Sequence, residues 1–204
     1  MRQTCLRVYR GHQGDWDKMP MPEPAEHRFD PLLPPEMARA CERAGAAKAG
    51  RQTAALVVLG ALAGAFIAFG AIFMTVVATG AGDLPWGVAR LLMGLVFSLG
   101  LILVIVGGAE LFTGDALMVV SYASGKITAA ALLRAWGLVY LGNIAGSIGT
   151  AALVFLSGQH ALAGGGVGRT ALAVASYKAS LGTVELFFLA VLCNVLVCLA
   201  VWMS

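Results

Sequence analysis

Gly107-Gly108-Ala109-Glu110-Leu111-Phe112-Thr113-Gly114-Asp115 is the stretch on which the reading of this chain turns. It interrupts a hydrophobic segment, residues 88–123, that begins as VARLLMGLVFSLGLILVIV and resumes after the break as ALMVVSYAS. Carboxylates at membrane depth are costly and seldom face lipid. Backbone that is not helical is tolerated there only where it lines a cavity or is buried in protein. The competing reading ends a span at Gly108 and continues with a polar loop and a short surface helix. Against it, ALMVVSYAS is too short to cross a bilayer and too apolar to sit comfortably in water. The segment reads as a helix that enters the membrane, breaks and resumes.

Working outward, the rest of the chain supplies the bilayer. Of its 204 residues, 59% are hydrophobic and 12% charged, against roughly 25% charged in a soluble domain. No charged residue stands between Arg51 and Asp83, or between Arg134 and Arg169, and shorter uncharged runs follow Arg90 and Glu185. At about 1.5 Å per residue, roughly 20 apolar residues cross a hydrocarbon core of about 30 Å. Spans are therefore expected at about 53–79, 88–108 with 114–123 as the resumed half, 129–157 and 183–204, all within a transmembrane domain of residues 52–204. The fold class is all-α, a polytopic transmembrane helical bundle. Gly60, Gly64 and Gly70 recur along the first span, where small residues let helices approach closely in lipid. Asn143, in the small-residue run GNIAGSIGTAA, is suited to bonding a neighbouring helix or to lying on a permeation path. SGQHALAGGGVGR, residues 157–169, reads as a flexible loop, with His160 solvated in it. Its glycines follow no strand, which excludes a phosphate-binding turn.

The N-terminal region is different in kind. Residues 1–35 read as a disordered tail, since six of the seven prolines fall between Pro20 and Pro35 and proline resists helix and strand alike. Met19 and Met21 are alternative starts, and the first residues lack the apolar core of a signal peptide. Residues 36–51 read as an interfacial helix carrying Arg39, Arg43 and Lys48, or as a solvated collar. The net charge of +3 is concentrated in the first 51 residues, which argues for topology and not for nucleic acid. Lysine and arginine place the N-terminus and the 121–134 loop in the cytoplasm and the 158–182 loop outside. Cys5, Cys41, Cys193 and Cys198 show no paired spacing, so neither a disulfide framework nor a metal site is expected. No cofactor and no catalytic group are expected either. A membrane-embedded enzyme lacks any nucleophile–base pair or metal cluster to support it.

Four stretches carry a specific resemblance: FDPLLPPEMA (29–38), GLVFSLGLILVIVGGAELFTGDAL (94–117), NIAGS (143–147) and LCNVLVCLAVWMS (192–204). Together they resemble the formate/nitrite transporter family from about Phe29 to the end. The resemblance implies an aquaporin-like fold of two inverted three-helix halves, of which the second is incomplete here. It implies a homopentamer in the inner (cytoplasmic) membrane, each protomer with its own pore. The partners it implies are the lipid bilayer and small anions, formate or nitrite first, with hydrosulfide and short carboxylates as further substrates.

By motif position, Phe97, Leu101, Leu111 and Phe112 are expected to narrow the pore. Thr113, Lys178 and Asn194 are expected to be polar groups on the substrate path, with Glu185 at the acidic position that opens the fourth span. Apolar rings obstruct a bare anion more than a neutral acid, and a lysine at a vestibule concentrates anions. There are departures. The family continues with a second broken helix bearing a pore histidine and then a sixth span, whereas this sequence stops at Ser204. His12, His27 and His160 do not substitute for that histidine. Asp115 stands where the family usually has an uncharged residue. An incomplete gene model or a genomic fragment is the expectation from this, and a truncated, non-transporting subunit that only oligomerises is the alternative to a working pore.

Overall fold

The structure, a computed structural model, describes residues 34–204. The readings for residues 1–33, including His12, His27, Cys5 and the alternative starts, lie outside the described residues. In lipid a chain has no water to satisfy its backbone, so apolar runs close their hydrogen bonds within helices. The regular elements among the described residues are all helices, with no strand. The first helix, α1, spans Pro34–Ala49. Pro34 and Pro35 thus belong to a helix and not to the irregular tail. They occupy its first turn, where a missing N–H costs nothing and the proline φ is already helical.

Next come α2 (Thr53–Thr79), α3 (Trp86–Val106), the short α4 (Phe112–Asp115) and α5 (Met118–Ala123), and α6 (Ala129–Leu156). A 3-10 turn at Gln159–Ala161 leads to α7 (Leu162–Ser180), and α8 (Thr183–Trp202) closes the chain. Four of these, α2, α3, α6 and α8, are long and apolar enough to cross a membrane. Helix α2, with 27 residues, is about 40 Å long, more than a bilayer core requires.

Helix α2 packs mainly on α6 and on α3, and glycine sets how closely. A Cβ on Gly60 would stand 2.9 Å from the Val139 carbonyl, and one on Gly142 would stand 2.7 Å from the Val57 carbonyl. Only hydrogen fits at either place. The α2–α6 crossing therefore brings backbone against backbone, the arrangement that gains most from dispersion where lipid offers no hydrophobic drive. Around it, Ala49, Leu56, Met118, Leu132, Ala135 and Val139 form one buried cluster, and Ala63, Val104 and Ala109 form another.

Two ends of the bundle are distinguishable. At one end Arg134 donates to the Thr53 hydroxyl at 2.8 Å and to the Arg51 carbonyl at 3.2 Å. The Ser121 hydroxyl donates to the Glu42 carbonyl at 2.8 Å, which ties α1 to α5. At the far end of α2, Thr79 bonds Thr170 of α7 at 3.0 Å.

The segment expected to be a flexible loop, 157–169, is ordered and largely helical. It turns at Gly158, with φ 76°, and again at Ala163, Gly164 and Gly165, whose φ values of 54°, 60° and 79° are left-handed. Arg169 donates to the Gly164 carbonyl at 3.0 Å and holds that turn. Beyond it ALAVASYKAS has good helix formers. Helix α8 stands apart: it contains no buried residue, and its principal contact is with α4.

Candidate functional site

The helical ladder of the second hydrophobic segment stops at Val106. Gly108 turns the chain with φ +62°, a left-handed value natural to glycine. Leu111 is extended, with φ −107° and ψ 123°, before α4 begins. The break leaves backbone groups that need partners. Glu110 N–H donates to the Leu59 carbonyl at 3.2 Å. The Asn143 side chain supplies two more, donating through Nδ2 to the Glu110 carbonyl at 2.9 Å, while the other Nδ2 hydrogen goes to the Gly60 carbonyl of α2 at 2.8 Å. Its Oδ1 accepts from Phe112 N–H at 2.9 Å. The middle of the non-helical stretch, Ala109 and Glu110, is thus buried in protein and bonded there, as backbone inside a membrane requires, while Gly108 is exposed and Leu111 partly so.

Both carboxylates of the break are buried, Glu110 at 1% and Asp115 at 2% exposure. Burial of unpaired charge would be prohibitive. Lys48, from the end of α1, reaches between them, with Nζ 2.7 Å from Glu110 Oε2 and 2.6 Å from Asp115 Oδ1. Arg51 pairs with the other Glu110 oxygen. Two cations thus meet two carboxylates. Burial pulls the Lys48 ammonium toward neutrality, but Asp115 and Glu110 outweigh it and hold its pKa above the usual lysine value. Trp136 Nε1 donates to the Asp115 carbonyl at 2.9 Å. Two thiols approach the same turn: Cys41 donates to the Leu117 carbonyl at 3.7 Å, and Cys198 to the Thr113 carbonyl at 3.4 Å.

The loop residues singled out from sequence take different surroundings. Extended backbone sends successive side chains to opposite sides. Leu111 packs with Phe66 and Ile67 against the Ala63–Val104–Ala109 cluster. The Phe112 ring meets Trp136 and Tyr140 edge-on, with centroids 6.0 and 5.3 Å away. Leu111, Phe112 and Thr113 each remain partly exposed. Asn194, Cys198 and Val201 recur at helical spacing on one face of α8. Val201 lies against Gly114, where an added Cβ would be 3.4 Å from its methyl. The face carrying Asn194 is therefore the one turned to α4, and Asn194 Oδ1 is buried without a hydrogen-bond partner among the described residues. Phe97 and Leu101 lie one turn apart on α3, Phe97 37% exposed and Leu101 partly so. Lys178 sits apart from the loop, exposed in the last turn of α7, and Glu185 is in the first turn of α8.

Three residues at the centre of this arrangement were not marked as site residues from sequence. Lys48 and Arg51 read as topology charges, and Asn143 as a bond between helices or a group on a permeation path. A signal was present for the first two. Paired carboxylates inside an apolar segment demand cations, and Lys48 and Arg51 are the basic residues nearest the first span. The third cannot be placed without the fold, because Asn143 and Phe112 are separated by 31 residues. Among the described residues no cluster suited to a metal ion occurs.

Comparison with known proteins agrees on one family. The profile described as formate/nitrite transporter matches residues 35–204. The chain is 43% identical over 180 residues to the formate channel FocA of Escherichia coli (strain K12), covering 88% of this chain and 63% of that protein. It is 35% identical over 176 residues to the formate channel BtFdhC of Bacillus thuringiensis, covering 84% of this chain and 66% of that one. A solved pentameric formate channel with formate bound superposes with a TM-score of 0.70 at 45% identity, over 74% of this chain and 59% of the other. A solved FNT family ion channel gives a TM-score of 0.72 at 31% identity, over 83% of this chain and 68% of the other. The chain thus spans less than two thirds of the length of the first of these relatives.

Proposed function

The chain belongs to the formate/nitrite transporter family and is a multi-pass membrane protein, and from that premise we propose that it forms part of a pore for small monovalent anions, with formate as the leading substrate. The observation that carries this reading is the break at 108–113, where non-helical backbone at 108–111, extended at Leu111, runs into the short α4 inside an apolar segment and is anchored by Asn143 and the Lys48–Glu110–Asp115 cluster. A soluble turn has no need of such anchoring, whereas a loop crossing a pore does.

In this reading Thr113 offers a hydroxyl and Asn194 a carboxamide to replace part of an anion's hydration. Phe97 and Leu101 narrow the path on one side of the loop, and Leu111 and Phe112 narrow it at the loop itself. An apolar constriction favours the neutral acid over the bare anion, which links transport to pH. Lys178 draws anions to the vestibule beside the start of α8. The N-terminus lies in the cytoplasm, consistent with Arg51 and Arg134 at one end of the bundle, and the membrane is the inner one. The assembly is a homopentamer, by likeness to the pentameric formate channel. Nitrite, hydrosulfide and short carboxylates are the further substrates to test against formate.

Lys178→Ala is the direct test of the vestibule role. Formate uptake into proteoliposomes should fall several-fold at low formate and low ionic strength, and recover as formate is raised, because the lysine acts on local anion concentration. Equal uptake by the two proteins across the whole concentration range would remove Lys178 from the path.

A further inference from the structure

Asn143 does more than join two helices. Its carboxamide accepts from Phe112 N–H at 2.9 Å and donates to the Glu110 carbonyl at 2.9 Å. These two groups flank Leu111, and they are the pair that one residue of a neighbouring parallel strand would engage through its own N–H and C=O. The backbone of Leu111, φ −107° and ψ 123°, is accordingly that of a strand residue. One side chain stands in for a strand partner where the described residues have no strand. The second Nδ2 hydrogen, bonded to the Gly60 carbonyl at 2.8 Å, fixes the carboxamide to α2. The same spot is among the closest approaches of α2 and α6, through Gly60 and Gly142.

We infer that Asn143 is the positioning residue that sets the width of the passage at Leu111 and Phe112, and so the size of anion admitted; this rests on the reading of residues 108–113 as the pore loop. The chemistry is specific to a short carboxamide. It needs one acceptor and two donors in a plane, a set that aspartate at neutral pH lacks, and glutamine's extra methylene would displace the loop. With the clamp in place Leu111 is held against the Ala63–Val104–Ala109 cluster, and Phe112 toward Trp136 and Tyr140. Without it the extended conformation has no partner for either flanking group, and both side chains leave their places.

The test is the ratio of acetate to formate uptake in proteoliposomes holding the protein purified from its native host, as wild type, Asn143→Leu and Leu111→Ala. Acetate differs from formate by a methyl group, and a fit at that scale is worth about tenfold or more in discrimination. Asn143→Leu, matched in shape but without hydrogen bonds, should raise the ratio by that order with assembly unchanged on gel filtration. If it does not assemble, Asn143→Thr, which keeps a single hydroxyl, should shift the ratio in the same direction. A merely structural asparagine would lower both fluxes together and leave their ratio alone. An unchanged ratio in the Asn143 variants, with a raised one in Leu111→Ala, overturns the positioning role and leaves the pore reading standing. An unchanged ratio in Leu111→Ala as well overturns the pore-loop reading, and this inference with it. Failure of both Asn143 variants to assemble would make the residue structural and overturn the inference too.

Discussion

Lys48→Met should be among the most damaging single substitutions in the chain, lowering stability by about 3–5 kcal/mol, the cost of breaking a buried ion pair from one side. The reason lies in the count of partners. Glu110 keeps Arg51 when Lys48 is removed. Asp115, with its side chain 2% exposed, has Lys48 as its cation among the described residues and loses it. Trp136 donates only to its backbone carbonyl, and the other neighbour of the carboxylate is Glu110, a second acid that supplies no opposite charge. An uncompensated charge would then sit beside that of Glu110, at the foot of the loop. Set against a total stability of about 5–15 kcal/mol, this is a large fraction. The double variant Lys48→Met/Asp115→Asn should recover most of the loss, because it removes the orphaned charge along with its partner. Thermal unfolding in detergent measures both. A Lys48→Met protein within about 1 kcal/mol of wild type, the range of an exposed salt bridge, would show that the cluster is solvated and does not anchor the loop.

The second large effect is expected at α3. Phe97 and Leu101 stand one turn apart, so their side chains share a face, and both are left partly exposed by the helices around them. If that face lines the passage, the two side chains together form an apolar obstruction whose cost to a charged species lies in lost hydration. Phe97→Ala/Leu101→Ala should raise uptake of acetate and larger carboxylates by roughly tenfold or more, on the scale at which apolar fit discriminates by size. Formate uptake should change less, and its dependence on external pH should flatten as the bare anion gains passage. The same substitutions on a lipid-facing stripe would leave selectivity and pH dependence unmoved. That contrast separates a pore constriction from helix packing.

How much of this was legible in the sequence follows from which interactions are local. The spans were legible because an uncharged apolar run has one stable fate in a bilayer, and the break at Gly108–Asp115 was legible because two carboxylates cannot be ignored in such a run. The close contact of α2 with α6 was foreshadowed by Gly60 and Gly64, though not the partner they would meet. Lys48 was not assigned to Asp115, since the two are 67 residues apart and a basic residue before a span already has an explanation in topology. Asn143 was ambiguous for a related reason: a polar residue in a membrane helix bonds to something, and only the fold shows that here it is the backbone of a broken one. The misreading of 157–169 came from glycine. GGGVGR carries the signature of a loop, yet three left-handed residues suffice for the turn and the chain beyond them returns to helix. Pro34 and Pro35 misled in the opposite sense, since proline disrupts a helix everywhere except in its opening turn.

The central claim is that this fold conducts formate, and the most direct measurement is formate uptake into proteoliposomes containing the protein purified from its native host. A formate gradient is imposed, and protein-free vesicles and vesicles carrying Thr113→Val are run alongside. Uptake well above the protein-free rate, saturating with formate and reduced in Thr113→Val, is the expected result. Uptake equal to that of protein-free vesicles, from a protein that is folded and assembled, would contradict it and leave a membrane subunit that does not transport.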